Sequence, residues 1–376
     1  MAYDYVGSIA QKYIQFVTTV ITTAVPGQNF GKLMIFCSET DAATMFVTDP
    51  TVDTITELTP SNYKTLLLAA GLLYKWLADF YANGSVTSVF VVTYTSGVGP
   101  AIADLNAQYA LYVERAYWKL CMDVAHKMAA QLVLAALCAT DPLSQFIYGS
   151  QDATILTNTG GNEALQFNTL PAPGLDVPII YHPSAVHNPA MVQLGITLAA
   201  LNTSGTYVGN KLDFLAVAFT ASGTAGANVS AAGLANCAIL GVAVFTTLGN
   251  GTGQVLLEGA TAGRGLVTGL TFADIGVRWL VNYVDTVSSI LCTQYMAQPG
   301  RFKNNDTYQG CLTILTGQLA LFSGMGRLSS VKITAPPFDQ LPAAAGGVIV
   351  VPQAWQASYN SNLRQITVYG TLYVQA

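Results

Sequence analysis

The hydrophobic pattern begins with a segment that is prone to form β-structure and ends at a turn. Residues 12–25 (KYIQFVTTVITTAV) are rich in threonine, valine and isoleucine, which is typical of an extended strand, and a Pro-Gly pair then breaks the pattern. The short apolar run Leu33–Cys37 (LMIFC) predicts a buried central strand. The polar residues 38–53 predict turns. We therefore expect an extended arm over residues 1–32, followed by the start of a core.

Helical and strand patterns alternate over the next hundred residues. Tyr63–Ala82 keeps apolar residues at helical spacing until an Asn-Gly pair stops it, and Ser88–Tyr94 (SVFVVTY) predicts a strand. Ile102–Ala139 is predicted to be the longest helical region. It contains the charged residues Glu114, Arg115, Lys119, Asp123 and Lys127, so part of it would face solvent. This alternation is typical of βαβ units and predicts the first part of a mixed α/β core over residues 33–140.

The middle of the chain has a different pattern. Residues 141–270 contain short β-prone runs separated by Gly, Ala, Ser and Thr, with one predicted helix around 189–201. We interpret this section as a strand-rich lobe inserted into the core.

Helical spacing then returns, and a final strand closes the chain. Phe272–Met296 places Trp279, Tyr283 and Val287 four residues apart, and Thr307–Phe322 is also helical in pattern. These segments predict the second part of the core over residues 271–362. Residues 363–376, which contain ITVYGTLYV, predict a C-terminal strand or arm.

The composition indicates that much of the surface is hidden from water. Only 9% of the 376 residues are charged and 52% are hydrophobic, whereas roughly 25% of residues are charged in a typical soluble domain. Either lipid or other copies of the same chain would hide such a surface. No uninterrupted apolar stretch of the length that a helical membrane crossing requires is present, so protein partners are favoured over membrane insertion.

Charge and cysteine content exclude further classes of function. The net charge of −5 and the lack of a basic patch argue against nucleic-acid binding. The first residues show no secretory signal pattern, which favours folding in a cytoplasm. The six cysteines are far apart, and we expect them to be buried free thiols.

The sequence contains no catalytic motif. It has no phosphate-binding loop, no nucleophile elbow and no dinucleotide fingerprint, and the glycines at 249, 251 and 253 are typical of a loop. Of three histidines, His182 and His187 are expected at the surface or in loops rather than in a metal site. We therefore predict a non-enzymatic protein without a cofactor or metal. An enzyme would be favoured only if distant acids or cysteines converge on a pocket.

The order of segments resembles the tail sheath proteins of contractile bacteriophage tails. The helix that ends in DFYANG and leads to SVFVVTY (Leu73–Tyr94) is similar to a helix and core strand of that family. Val277–Met296 followed by Thr307–Gly326 is similar to the paired C-terminal helices of its compact members, and the terminal ITVYGTLYV is similar to the last sheath strand.

The resemblance implies a mechanical function. Sheath subunits form hexameric rings that stack into a helical polymer around a tail tube, and the polymer contracts to drive the tube through the host envelope. Terminal arms add strands to neighbouring subunits, with a baseplate and a tail terminator as further partners. The resemblance places the protein in the virion, assembled in the host cytoplasm. The residues expected in subunit-interaction strands are Tyr13, Ile14, Phe16, Val17, Val20, Ile366, Val368, Tyr369, Leu372 and Tyr373.

The charge distribution suggests a surface for the tube. Residues 271–376 hold six basic and four acidic side chains, a balance of +2. Because the net charge of the whole chain is −5, the other residues carry −7. We hypothesise that this segment faces an acidic tube through Arg301, Lys303 and Arg327. A solvated loop with scattered charges is the alternative for these residues. For the whole protein, the main alternative is another virion shell or tube subunit, either a capsid or a tail tube protein.

Overall fold

The computed structural model describes residues 14–15, 28–50, 52–95, 100–125, 127–141, 143–170, 177–183, 186–204, 216–217, 229–247, 254–257, 275–296, 298–299, 304–341, 349–351 and 354–359. The described strands are β1 (Ile14–Gln15), β2 (Leu33–Ser38), β3 (Ile55–Leu58), β4 (Val89–Tyr94), β5 (Trp118–Met122), β6 (Gln145–Phe146), β7 (Tyr148–Ser150), β8 (Ile179–Tyr181), β9 (Ala216–Val217), β10 (Val242–Thr247), β11 (Gln254–Leu257), β12 (Leu328–Ile333), β13 (Ile349–Val350) and β14 (Trp355–Tyr359).

The described α-helices are α1 (Glu39–Met45), α2 (Tyr63–Leu66), α3 (Leu72–Ala82), α4 (Pro100–Tyr112), α5 (Lys127–Thr140), α6 (Glu163–Phe167), α7 (Pro189–Ser204), α8 (Ala231–Leu240), α9 (Ile275–Met296) and α10 (Asn305–Gly324). In the part of the chain that the structure describes, none of these helices combines the length and apolarity that a membrane crossing needs.

A five-stranded sheet in the order β3-β4-β2-β5-β6 forms the centre of the fold. Strand β2 runs parallel to both β4 and β5, and β5 runs parallel to β6, whereas β3 is antiparallel to β4. The apolar run that predicted a central strand therefore lies at the middle of the sheet, buried along its full length. Parallel sheets are covered on both faces, which explains why this strand is apolar throughout rather than alternating.

The two faces of this sheet contact separate hydrophobic clusters. Leu33 and Ile35 point into one cluster together with Trp279 of α9, and Met34 and Phe36 point into the other together with Leu105 of α4. Successive side chains of a strand point to opposite faces, so one continuous apolar strand supports both layers. The sequence expectation of a mixed α/β sheet flanked by helices is confirmed.

A second five-stranded sheet, in the order β7-β8-β10-β11-β9, lies next to the first. Strands β7, β8 and β10 are parallel, while β11 is antiparallel to β10 and β9. Ile147 alone separates β6 of the first sheet from β7 of the second. Ile180 joins the cluster of Leu33, and its neighbour Ile179 joins the cluster of Met34, so the two sheets share both hydrophobic layers. The division into a core and an inserted lobe over 141–270 stays a prediction.

The single long helix predicted over Ile102–Ala139 is wrong. Helix α4 ends at Tyr112, a short 3₁₀ segment follows, and β5 then inserts into the first sheet before α5 begins. Lys119 of β5 is fully buried and its amine donates hydrogen bonds to the carbonyls of Val113 and Ala116, so it does not face solvent. Burial lowers the pKa of Lys119 to about 8. Pairing of β5 with β2 overrides the local helical spacing.

Two smaller differences concern residues 38–82. The region 38–53 was expected to form turns, but Ser38 caps α1: its hydroxyl accepts from the Asp41 amide at 3.2 Å. The helix expected over 63–82 is divided into α2 and α3, because Leu67 forms a bridge to Phe46 and the chain turns before Gly71. Each interruption depends on a contact between residues distant in sequence, which the local pattern does not contain.

Helices of the later segments begin and end close to the predicted positions. The pattern around 189–201 corresponds to α7, that of 272–296 to α9, and that of 307–322 to α10. The middle section also contains α6 and α8, which the prediction of one helix missed. Helix α8 is capped at its N-terminus by Ser230 and is followed by Gly241. The φ of 70° at Gly241 is readily adopted by glycine.

A buried arginine joins α9 to the end of α5. Arg278 is 6% exposed, and its guanidinium donates to the carbonyls of Cys138, Asp141 (3.3 Å) and Ser144 (3.1 Å). These carbonyls lie at and just beyond the C-terminus of α5, where the helix leaves its last acceptors without intrahelical donors. The positive charge also interacts favourably with the helix dipole at this end.

Candidate strand-addition surface

Strands β12 and β14 form a two-stranded antiparallel sheet with open edges. Leu328 pairs with Tyr359 at one end and Ile333 with Trp355 at the other. Among the described strands, neither β12 nor β14 has a second neighbour. Isolated two-stranded sheets are at best marginally stable, so this sheet depends on packing against the core or on further strands. We call β12 and β14 the C-terminal sheet.

One face of the C-terminal sheet packs against the core and the other is polar. Ile333, Trp355 and Ala357 contact the hydrophobic cluster that contains Leu33 and Trp279. Lys332 and Gln356 are exposed. This alternation fixes which face is buried and leaves the two edges accessible from the side.

A β-bulge interrupts β12. Between the pairs Ser329–Ser358 and Lys332–Gln356 the strand β12 contains one more residue than β14. Ser330 lies in this interval with φ of 53°, a left-handed conformation that is uncommon for a residue other than glycine. Bulges bend edge strands and increase their twist, so this bulge sets the direction of the β12 edge.

The C-terminal sheet is attached directly to α10. The amide of Arg327 donates to the carbonyl of Phe322 at 2.9 Å, and that of Gly326 donates to Ser323 at 2.9 Å. Gly326 has a φ of 70°, which completes a Schellman motif at the end of the helix. Strand β12 begins at Leu328, directly after Arg327. There is therefore no flexible linker between the helix and the strand.

Strand β14 is attached to α9 through a buried carboxyl group. The indole Nε1 of Trp355 donates to Oδ1 of Asp285 at 2.9 Å. Burial raises the pKa of Asp285 to about 6, and the hydrogen bond from Trp355 offsets part of this rise. The segment after β12 is attached to α10 by another hydrogen bond. The hydroxyl of Tyr308 on α10 donates to the carbonyl of Pro336 at 2.8 Å. Strands β12 and β14 are thus both attached to the helix pair of α9 and α10.

The first and last parts of the chain meet in a second small sheet. Ile14 pairs with Ile349 and Gln15 with Val350, in parallel register. Ile14 is therefore in a strand pair with its own chain. The other residues predicted in interaction strands lie outside the described residues: Tyr13, Phe16, Val17, Val20, Ile366, Val368, Tyr369, Leu372 and Tyr373.

Of the predicted tube-facing residues, only Arg327 is described. It is partly exposed and follows the Schellman motif of α10, next to the C-terminal sheet. Arg301 and Lys303 lie outside the described residues, as do the glycines at 249, 251 and 253. Sequence reasoning did not identify Ser330, Trp355 or Asp285, because a bulge and a contact across 70 residues leave no local signal.

A cavity of about 240 Å³ at the carboxyl ends of β5 and β7 is the second candidate site. Its lining includes Cys121 and Asp123, a thiol and an acid, together with Trp76 and Gln131. Ligands of open α/β sheets bind at this edge, so the chemistry of these groups matters.

The groups at this cavity favour packing over catalysis. The hydroxyl of Tyr94 donates a hydrogen bond to Oδ2 of Asp123, with 2.7 Å between the two oxygens. Burial raises the pKa of the Cys121 thiol far above its ordinary value. A protonated thiol is a poor nucleophile. None of the described lining residues is His, Lys or Arg, and no three His, Cys, Asp or Glu residues in the described ranges are grouped to hold a metal.

His182 and His187 lie in loops, as one of the two expectations had it, but they are not at the surface. Both are buried, at 1% and 0% exposure, and Nδ1 of His187 lies 2.5 Å from Oδ2 of the buried Asp79. Burial and, to a smaller extent, the neighbouring His187 together lower the pKa of His182 to about 4. The contact joins α3 to the segment before α7 across 108 residues. All six cysteines are buried free thiols, as predicted.

No family model and no curated protein sequence matches this chain. Solved structures do match it over almost its whole length. The helical sheath of the anti-feeding prophage in its contracted state has a TM-score of 0.64 at 13% identity, and the match covers 95% of this chain and 99% of that chain.

Two further structures agree with this comparison. The sheath complex of an extracellular contractile injection system, PVC, in its contracted state has a TM-score of 0.63 at 13% identity, over 95% of this chain and 98% of that chain. A chain of the anti-feeding prophage baseplate has a TM-score of 0.62 at 14% identity, over 94% and 98% of the two chains. The chain has the fold of contractile-sheath proteins.

Proposed function

We propose that this protein is the structural subunit of a contractile sheath of the bacteriophage-tail type. The observation that carries the proposal is the end-to-end agreement with sheath chains, in which 95% of this chain corresponds to 99% of a contracted-state subunit. The low charge content is consistent with a surface that is covered by other subunits.

The proposed assembly is a stack of hexameric rings around a tail tube, built by strand addition. No other described strand pairs with the outer edges of the C-terminal sheet, and such an edge is a template for a strand from another copy. The β-prone segments 12–25 and 366–374 are the strands that we assign to this role. Backbone hydrogen bonds would supply the affinity, and the alternating side chains would set the register.

The proposed contraction is a rigid-body rearrangement between two packings of the same subunits. The free-energy difference is stored in the extended polymer, so no cofactor or nucleotide takes part. The anchoring of the C-terminal sheet on α9 and α10 supports this mechanism, since the sheet then moves with the body of the subunit. The particle would be assembled in the host cytoplasm with baseplate and tail terminator proteins at its ends, and it would serve genome ejection or a related injection process.

Electron microscopy of the purified protein at high concentration tests the proposal. We expect striated hollow tubes, wide enough to enclose an inner tube. Closed shells would instead identify a capsid protein, and narrow tubes without an inner space would identify a tail tube protein. Dispersed monomers at all concentrations would contradict a self-assembling subunit.

The tube-facing surface is a separate proposal. We place Arg301, Lys303 and Arg327 against an acidic tube, where complementary charge sets register and partner choice more than affinity. Changing all three residues to Glu is expected to abolish co-sedimentation with the tube protein, while the sheath chain still folds and forms tubes by itself.

A matched control is the change of three basic residues outside this surface, Lys64, Lys75 and Arg115, to Glu. This variant has the same net charge as the first, so it separates the local surface from the overall charge. Equal loss of tube binding by both variants, or unchanged co-assembly of the first, would contradict the assignment.

A further inference from the structure

Two cysteine side chains face each other between the last two helices. Cys292 lies on α9 and Cys311 on α10, and they are 1% and 0% exposed. The thiol of Cys292 donates to the carbonyl oxygen of Cys311 at 3.5 Å. The neighbouring Cys311 and burial raise the pKa of Cys292 well above its ordinary value, so the thiol reacts only when the site opens to water.

The helices approach each other closely at this point. The ring of Tyr295, one turn beyond Cys292, packs directly on the backbone of Gly310, and a Cβ atom at position 310 would overlap the ring. The axes of packed helices are ordinarily about 8–10 Å apart, and Cα atoms lie about 2.3 Å from the axis. Cα atoms that face each other across the pair can therefore lie within the about 4.4–6.8 Å that a disulfide requires. The contact of the Cys292 thiol with the Cys311 carbonyl shows that these two residues face each other across the helix pair.

We propose that Cys292 and Cys311 are an oxidisable pair that forms an intrachain disulfide across α9 and α10 when the protein leaves a reducing compartment. The oxidant is a small-molecule disulfide of the glutathione type. The pair is assigned from its contacts alone, so the inference is independent of the proposed sheath function.

The reaction proceeds by two thiol–disulfide exchanges. One cysteine loses its proton and attacks a sulfur of the small disulfide, which forms a mixed disulfide and releases one small thiol. The second cysteine then attacks the protein sulfur of the mixed disulfide and releases the second small thiol. The two protein thiols are oxidised by two electrons, and the small disulfide is reduced to two thiols that carry the protons.

Access to the pair is provided by the ends of the two helices. Helix α9 ends at Met296, four residues after Cys292, and α10 begins at Asn305, six residues before Cys311. Helix ends open locally at a low free-energy cost compared with global unfolding. The pair is therefore reached by fraying of the terminal turns, and the closed disulfide would hold together the helices that carry the C-terminal sheet.

Peptide mapping of the unreduced protein tests the proposal. The purified native chain is incubated with oxidised glutathione, alkylated and digested with trypsin, which cleaves after Arg278, Arg301, Lys303 and Arg327. We expect a cross-linked species of peptides 279–301 and 304–327 that separates on reduction. In denaturant, the number of titratable thiols is expected to fall from six to four. This measurement requires no variant.

Variants give a matched comparison. The double variant Cys292→Ala/Cys311→Ala is expected to keep its four remaining thiols under the same treatment. Cys237→Ala removes a buried cysteine whose pKa is raised by burial, and this variant is expected to fall from five thiols to three. Recovery of both wild-type peptides as separate free thiols after prolonged oxidation, or a disulfide that joins other cysteines, would overturn the proposal.

Discussion

Removing residues 363–376 is expected to abolish tube formation and to leave the fold intact. The segment supplies the strand ITVYGTLYV, which we assign to the open edge of a neighbouring C-terminal sheet. If it forms four or five backbone hydrogen bonds there, each worth about 0.5–1.5 kcal/mol, its loss costs about 2–7 kcal/mol per contact. The critical concentration for polymerisation should then rise by roughly 30-fold or more. Pelleting assays over a concentration series measure this change.

The control for this truncation replaces the same 14 residues with a Gly-Ser sequence of equal length. It retains the length of the chain but lacks the β-prone pattern, so it is expected to behave like the truncated protein. Both proteins should keep the wild-type circular dichroism spectrum and thermal midpoint. Normal tubes from either protein would show that this segment does not join subunits, and the assignment of the C-terminal sheet as its acceptor would fail.

The change of Arg278 to Met is expected to destabilise the monomer by about 3 kcal/mol. Methionine keeps much of the apolar stem, but it leaves the carbonyls of Cys138, Asp141 and Ser144 without their shared donor in a buried site. Hydrogen bonds to charged groups contribute about 1.5–3 kcal/mol, and a buried acceptor without a donor adds a desolvation cost. Urea unfolding of the unpolymerised chain measures the free energy of unfolding.

Arg115→Met is the matched control, because Arg115 is exposed. Exposed substitutions usually change the free energy of unfolding by less than about 0.5 kcal/mol. A similar, small effect of both variants would mean that the carbonyls at the end of α5 are satisfied without the guanidinium.

Much of the central sheet could be predicted from the sequence, since its strands are continuous apolar runs. Strand β2 coincides with LMIFC and β4 with SVFVVTY. The prediction failed at β5 because Arg115, Lys119, Asp123 and Lys127 are each four residues apart, which matches one face of a helix. Pairing with β2 decides the conformation there, and that contact joins positions about 85 residues apart, such as Leu33 and Trp118.

The candidate site was predicted only in part. The β-prone arms were expected from valine, isoleucine and threonine content, which is local information, and they stay a prediction because nearly all of their residues lie outside the described ranges. The acceptor sheet did not follow, because LSSVKI contains a bulge at Ser330 that disrupts the alternation of apolar and polar residues. The Asp285–Trp355 and Asp79–His187 contacts join positions 70 and 108 residues apart. A single sequence contains no signal for contacts of this kind.

The pairing of β1 with β13 has a consequence for the order of folding and for exchange between chains. Ile14 and Ile349 are 335 positions apart, the largest separation among the described strand pairs. Closing so large a loop carries the highest entropic cost, so this pair forms last and opens first. A two-residue pairing then competes with the same pairing to another chain, and the outcome depends on effective concentration. In the polymer that we propose, the corresponding strand of a neighbouring chain would then compete for this place without any new type of contact.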